Sequence, residues 1–315
     1  MAYLFVHFKE KRTPDGEQVY FVISKDGYNW EQVNDGQPVL WSYKGDFGVR
    51  DMTVVRNKAG EIVIMATDLS LAYGLPGKYM GDWSNISRKG SKCLSLWRSF
   101  DLIHWSEQEM VKVGAEGFGC AWAPDIIYDR KNDDYVVHFS SRHACNGYGD
   151  MSIYYTRTKD FKTFTESEML FSREDASIID SHITEYKGKY YLFVKCDRNP
   201  CTVLMYESES VTGPYIENKT FTEKMTALAE GCYEGPTTMQ TKDGRTALFV
   251  DHYAIPEEEQ GYIPFFIDDL PTGKVYCEKE NPFKFPYGIK HGTVLEITDE
   301  EYDRLLNYKK SPRER

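Results

Sequence analysis

Five polar residues stand where short apolar segments of this chain begin. They are Asp51 in Gly48-Val49-Arg50-Asp51, Asp125 in Ala121-Trp122-Ala123-Pro124-Asp125, Asp180 in Ile178-Ile179-Asp180-Ser181-His182, Glu234 in Gly231-Cys232-Tyr233-Glu234-Gly235-Pro236, and His291 in Lys290-His291-Gly292. Singly, each acid is an ordinary turn residue in a chain with 49 Asp and Glu. Brought to one cavity, four carboxylates repel one another and separate in pKa. Hydrolysis of a glycosidic bond requires two carboxyl groups in different protonation states, one as base and one as acid. The set has meaning only if the fold makes the four acid-bearing segments equivalent.

Strand patterns dominate the chain. Residues 19–23, 61–65, 134–139, 189–194 and 246–250 are short and rich in β-branched and aromatic side chains. Most follow a turn pair: Ala59-Gly60, Asn132-Asp133, Lys187-Gly188 or Asp243-Gly244. The chain also repeats itself. Ser24-Lys25-Asp26-Gly27-Tyr28-Asn29-Trp30 recurs as Ser99-Phe100-Asp101-Leu102-Ile103-His104-Trp105 and as Thr158-Lys159-Asp160-Phe161-Lys162-Thr163-Phe164. A looser copy is Ser208-Glu209-Ser210-Val211-Thr212-Gly213-Pro214-Tyr215. Each copy is expected to turn between two outer strands and to close on an aromatic ring.

Repeats of this kind predict the four-stranded blades of an all-β propeller. Five blades are expected, four of them starting near Asp51, Asp125, Asp180 and Glu234. The fifth is shared by the two termini, which removes an open sheet edge. Long amphipathic helices are absent. The best helical segment begins at Thr298, with Glu301 at the capping-box spacing. The organisation expected is one domain over residues 1–307 and a charged tail over 308–315.

Composition narrows the partners. The 315 residues include 38 Lys and Arg against 49 Asp and Glu, a net charge of −11. An acidic chain without a basic block is a poor partner for nucleic acid or an anionic membrane. No apolar run approaches the roughly 18 residues of a membrane span. The opening Met1-Ala2-Tyr3-Leu4-Phe5-Val6 lacks the basic region of a signal peptide, so a cytoplasmic protein is expected. Seven scattered cysteines with no CxxC pair suggest free thiols in a reducing compartment and no zinc site. The aromatic share of 15% suits strands, and aromatic rings also lie flat against sugars.

The ordered set of motifs resembles glycoside hydrolase family 43, over nearly the whole chain. The resemblance lies in Val49-Arg50-Asp51, Trp122-Ala123-Pro124-Asp125-Ile126, Ile179-Asp180 before a Gly-Lys-Tyr-Tyr-Leu strand, Glu234-Gly235-Pro236 and His291-Gly292. It implies a five-bladed propeller that inverts the anomeric centre in a single displacement on arabinose- or xylose-containing, plant-type glycans. Asp51 would be the general base, Glu234 the general acid, and Asp180 the carboxylate that orients the acid and keeps it protonated. A water between base and sugar then requires the Asp51 and Glu234 carboxyls to be roughly 6.5–9.5 Å apart. The chemistry needs no cofactor. His291 resembles a family histidine that reaches a central calcium through water; plain core hydrogen bonding is its other reading.

This chain has Asp51-Met52 where the family usually has Asp-Pro, and Lys290 where an Arg often precedes the closing His-Gly. Trp122 is either the floor of the sugar site or a core ring. Asp125 is either a sugar-hydroxyl ligand or the modulator. His182 and Arg50 either touch substrate or brace their catalytic neighbours. Segments 71–90 and 141–149 are long enough to rim the funnel. Two other readings stand beside this one: a propeller lectin, which would need no base and acid, and a fructosidase-type propeller, which would need an Asn-Asp-Pro-like motif before residue 50.

Overall fold

Strand Ile62–Asp68 reads Ile-Val-Ile-Met-Ala-Thr-Asp, and every residue in it is buried. A strand covered on both faces needs no polar alternation. Other blades cover it here. The computed structural model describes residues 1–9, 11–228, 231–253 and 261–309, and its sheets are five, each of four antiparallel strands.

The first three strands are β1 (Ala2–His7), β2 (Tyr20–Ser24) and β3 (Glu31–Gln32). Blade 1 follows as β4 (Val49–Arg56), β5 (Ile62–Asp68), β6 (Cys93–Ser99) and β7 (Glu109–Lys112). Blade 2 is β8 (Trp122–Asp129), β9 (Asp134–Ser141), β10 (Ser152–Thr158) and β11 (Glu168–Phe171). Blade 3 is β12 (Ile178–Tyr186), β13 (Lys189–Cys196), β14 (Thr202–Ser208) and β15 (Ile216–Glu217). Blade 4 is β16 (Cys232–Gln240), β17 (Thr246–Tyr253), β18 (Gly261–Ile267) and β19 (Val275–Tyr276). The last strand, β20 (Thr293–Ile297), pairs with β1 from Ala2↔Ile297 to Val6↔Thr293 and completes blade 5. The blade count and the shared fifth blade are as the sequence predicts.

Five apolar clusters hold the ring, one at each blade junction. Strand β1 shows how. Leu4 and Val6 pack toward Val54 and Ile64 of blade 1, while Tyr3 and Phe5 pack toward Ala247 and Phe249 of blade 4. Both faces of one strand are core, so its sequence is apolar from Ala2 to Val6.

The repeated turn works by side chains accepting from backbone. In the first copy Ser24 Oγ accepts the Gly27 N–H at 2.9 Å, and Asp26 Oδ1 accepts those of Tyr28 and Asn29, both at 2.7 Å. Ser99 with Asp101, and Thr158 with Asp160, repeat the pattern. Trp30 and Trp105 close their turns by donating the indole N–H to the carbonyls of Gly27 and Leu102.

Helices are short. The 71–90 segment ends in α1 (Trp83–Lys89), whose N-cap Asp82 accepts from the Ser84 N–H at 2.8 Å. A second helix, α2 (Lys219–Leu228), lies between blades 3 and 4. Neither was expected: α1 has too few turns to show a period, and α2 buries only Phe221 and Met225. The third, α3 (Asp299–Leu306), carries the predicted capping box between Thr298 and Glu301. The charged tail expected from 308 lies outside the described residues from 310 onward. Among the described residues no helix is long and apolar enough to cross a membrane.

The turn predicts a stability effect. Asp26 is held near a pKa of about 2: burial opposes this, and the bonds from Asn29, Tyr28 and Ser24 outweigh it. Asp26→Ala should cost about 1 kcal/mol, as loss of an Asp cap typically does, and lower Tm by roughly 2–4 °C. A depressed carboxylate stabilises above its unfolded pKa and ceases to as pH falls through the folded one. The Tm gap between wild type and variant, measured by calorimetry, should therefore narrow from pH 4 toward pH 2.

Candidate active site

In blades 1 to 4 the innermost strand is bulged. The pairing shifts between Arg50 and Thr53 in β4, Trp122 and Asp125 in β8, Ile179 and His182 in β12, and Glu234 and Thr237 in β16. One residue in each bulge takes left-handed backbone: Asp51 (φ 51°), Ala123 (46°), Asp180 (54°) and Gly235 (56°). Non-glycine residues there carry strain of order 1 kcal/mol or more, and bulges re-aim side chains. Neighbouring blades hold the bulges. Ala123 N–H donates to Thr67 Oγ1 at 2.7 Å, Asp180 N–H to Ser140 Oγ at 3.0 Å, and Gly235 N–H to Asp180 Oδ2 at 3.2 Å.

This register corrects the equivalence read from the sequence. Asp51 and Asp180 share the bulge position. Glu234 precedes it by one residue. Asp125 follows it by two, level with Thr53 and His182. An inserted residue resets the two-residue period of a strand, and counting along the chain does not reveal where that happens.

Around the bulges three carboxyl groups gather about one imidazole. Asp51 Oδ1 lies 3.3 Å from His291 Nδ1, and its Oδ2 accepts from Thr67 Oγ1 at 3.1 Å. Burial alone would raise the Asp51 pKa. The hydrogen bond and charge of His291, joined by Arg50, outweigh burial and keep Asp51 below its usual value. Burial likewise opposes charge on His291, yet the Asp51 hydrogen bond and the charges of Asp180, Asp51 and Glu234 lift it to about 9. That shift favours the imidazolium form.

Asp180 goes the other way. It is 7% exposed. Burial first, then the charges of Glu234 and Asp51, raise it to about 6 against the opposing charge of His291. Asp180 is thus a carboxyl displaced upward. The Glu234 side chain is 24% exposed, and its Oε2 accepts from Lys195 Nζ at 2.9 Å. Burial would lower Lys195; Glu234 and Asp180 together hold it well above its ordinary value. Its ammonium also lies 4.4 Å from the ring centre of Tyr253.

Asp125 and His182 belong to a cross-blade belt. Asp125 Oδ1 accepts from Thr53 Oγ1 at 2.7 Å and Oδ2 bonds His182 Nδ1 at 2.7 Å. His182 Nε2 accepts the Thr238 N–H at 3.1 Å, which places the ring proton on Nδ1. These bonds link blades 1, 2, 3 and 4. Both residues are bonded across the blades, the bracing arrangement that was one of the two readings for His182. Arg50 is similarly engaged: Nη1 donates to Glu17 Oε1 at 3.0 Å, and the guanidinium stacks on Phe8. Trp122 is half-buried and meets Trp83 edge to face at 6.4 Å. Trp83, from the 71–90 segment, is the indole with open surface, at 46% exposure.

Calcium takes six to eight oxygen ligands. His291 turns Nδ1 to Asp51, and no group of three or more His, Cys, Asp or Glu among the described residues is placed to hold a metal. The donor set does not fit a protein cage for calcium. A groove of about 1430 Å³ lined by Trp41, Tyr43, Phe47, Tyr73 and Trp105 runs along the junction of blades 5 and 1, and none of the clustered acids lines it.

Sequence reasoning missed Lys195. Its signal was present: a lysine closing the apolar run Tyr190-Tyr191-Leu192-Phe193-Val194, where a buried charge needs a partner. Thr67 and Ser140 had no signal, because hydroxyls in strands are ordinary.

A ring of bulged blades that brings Asp51, Asp180, Glu234 and His291 together at one centre is the arrangement expected of a glycoside hydrolase propeller. Residues 1–303 match the family model of a probable glycosyl hydrolase domain related to glycoside hydrolase family 43, and the chain belongs to that family. An α-L-arabinofuranosidase of Bifidobacterium longum subsp. longum is 26% identical over 314 residues, covering 88% of this chain and 29% of that protein. The chain therefore spans less than a third of that relative. Among solved structures, an endo-1,4-β-xylanase of Bacteroides thetaiotaomicron aligns with a TM-score of 0.57 at 13% identity, over 84% of this chain and 85% of the other. An endo-arabinase of the same species aligns with a TM-score of 0.57 at 14% identity, over 90% and 91%. At such identities the likeness is one of fold.

Gly235 supplies a direct check of the site. A Cβ added there would lie 2.6 Å from His291 Cγ, on backbone at φ +56°. Gly235→Ala should push the imidazole off Asp51. The His291 ring resonance in NMR, expected to titrate near pH 9 in the wild type, should then move toward the ordinary value, while turnover drops about a hundredfold.

Proposed function

We propose that this chain hydrolyses arabinofuranosyl or xylosyl linkages in glycans or their oligosaccharides, with inversion at the anomeric carbon. The carrying observation is the arrangement of the cluster: Asp51 faces His291 at 3.3 Å, Glu234 is paired with Lys195 at 2.9 Å, and Asp180 holds the Gly235 N–H beside Glu234. The α-L-arabinofuranosidase among the relatives supports the pentose substrate.

Asp51 takes a proton from a water that attacks the anomeric carbon. Glu234 gives a proton to the departing oxygen. Lys195 occupies Glu234 Oε2, so the transferable proton belongs on Oε1. Asp180 holds the Gly235 N–H and so fixes the backbone next to Glu234. Trp83 and Trp122 offer apolar faces to a sugar ring. One observation favours a second assignment: Asp180, the carboxyl raised to about 6, would serve as proton donor.

Variants on paired substrates separate the two. A sugar leaving group needs protonation and a p-nitrophenyl group hardly does. With Glu234 as acid, Glu234→Gln lowers turnover of arabino- or xylo-oligosaccharides by roughly 10²–10⁴-fold and that of the aryl pentoside much less. If Asp180→Asn shows that split and Glu234→Gln does not, Asp180 is the donor. Asp51→Asn should depress both substrates alike, since each needs an activated water. A wild type that binds these sugars in calorimetry and cleaves none of them would overturn the enzymatic reading in favour of a lectin.

The pH profile gives a further check. His291→Gln removes the charge that holds Asp51 low, so the base protonates at higher pH. The acid limb of kcat/KM should move upward, with the alkaline side still active.

A further inference from the structure

Two cysteines that the sequence keeps apart meet beside the acid. Cys201 lies just before β14 in blade 3, and Cys232 opens β16 in blade 4. Their sulfurs are 3.0 Å apart, inside van der Waals contact and about 1 Å from the 2.05 Å of a disulfide. Both are half-buried thiols, and among the described residues no other cysteine pair has its sulfurs in hydrogen-bonding contact.

The pair shares its surroundings with Glu234. Cys232 precedes Glu234 by two residues, and the two pair across β17 with Tyr253 and Asp251. Two residues along a strand return to the same face. The Tyr253 ring carries Lys195, and Lys195 bonds Glu234. Sulfur pair, tyrosine, lysine and acid form one contiguous group.

We propose that Cys201 and Cys232 are a redox-modification site, a dithiol that a disulfide oxidant such as oxidised glutathione converts to an intramolecular disulfide across the blade 3–blade 4 junction. The exchange is balanced. The Cys232 thiolate attacks one glutathione sulfur, breaking its S–S bond, and one glutathione leaves. Cys201 then attacks the mixed disulfide at the Cys232 sulfur, loses its proton, and releases the second glutathione. Two protein thiols and one oxidised glutathione give one protein disulfide and two reduced glutathiones. Burial, with the neighbouring Cys232 second, pushes the Cys201 thiol up to about 11.

Closing the last ångström draws the start of β16 toward blade 3 and moves Glu234 against Lys195. The effect on catalysis rests on Glu234 being the acid; formation of the bond does not.

The test uses the whole chain, incubated with oxidised glutathione, alkylated, and digested without reduction. Trypsin cuts after Arg198, Lys219, Lys224 and Lys242, so the two cysteines fall on separate peptides. The expected result is one linked peptide pair, two hydrogens lighter than the sum of its parts, and a fall in free thiols from seven to five. Cys201→Ser should instead accumulate a single glutathione on Cys232. Seven thiols remaining, or a linkage to a different cysteine, would overturn the proposal. The mass readout holds whether or not any glycan is cleaved. On an oligosaccharide substrate, kcat of the oxidised protein should fall about tenfold or more and return with dithiothreitol; a linked protein with unchanged kcat would overturn the coupling to the acid.

Discussion

Three carboxyl groups packed around one imidazolium are the constraint on which this structure depends. Asp51, Asp180 and Glu234 come from blades 1, 3 and 4, and His291 comes from the segment that leads into β20. Removed from their cations, such carboxylates would have to protonate or separate, because a buried unpaired charge is very costly. His291 and Lys195 supply the two positive charges that make the cluster tolerable. Each cation reaches it only when the ring closes: His291 through the pairing of β20 with β1, and Lys195 through the packing of blade 3 on blade 4. Closure of the propeller and charge balance at its centre are one requirement.

The same balance differentiates the acids. Asp51 has a hydrogen bond from the imidazolium and the nearby Arg50, while Asp180 has neighbouring carboxylates and deeper burial. Identical bulge geometry therefore yields one carboxyl that stays ionised and another that holds a proton at mildly acidic pH. Beyond the bulges, the belt of Thr53, Asp125, His182 and Thr238 ties four blades together by side-chain hydrogen bonds. It fixes the strands from which Asp51, Asp180 and Glu234 project.

Much of this was legible in the sequence where the signal is local. The turn around Asp26 is written in adjacent residues, because Ser24 and Asp26 satisfy backbone groups two and three positions on. The capping box at Thr298 is equally local. Repetition of that turn pointed to blades, their number followed from the four strand starts near Asp51, Asp125, Asp180 and Glu234 plus one blade shared by the termini, and Asp51, Asp180 and Glu234 from their order along the chain. What stayed hidden depends on contacts between distant residues or on register. The bulges place Glu234 and Asp125 at levels different from Asp51 and Asp180, and nothing in the side-chain pattern marks an inserted residue. Lys195 gains its partner from a strand 39 residues away, and Cys201 meets Cys232 across 31. Pairings at that range are fixed by the packing of blades, not by spacing.

The central claim is a single displacement in which Asp51 directs water to the face opposite the leaving group. Proton NMR of the first-formed sugar, recorded on whichever pentoside the protein cleaves and before mutarotation, tests it most directly. The account predicts a product with anomeric configuration opposite to that of the substrate. A product that retains the configuration would show a covalent glycosyl intermediate and contradict the roles assigned to Asp51 and Glu234.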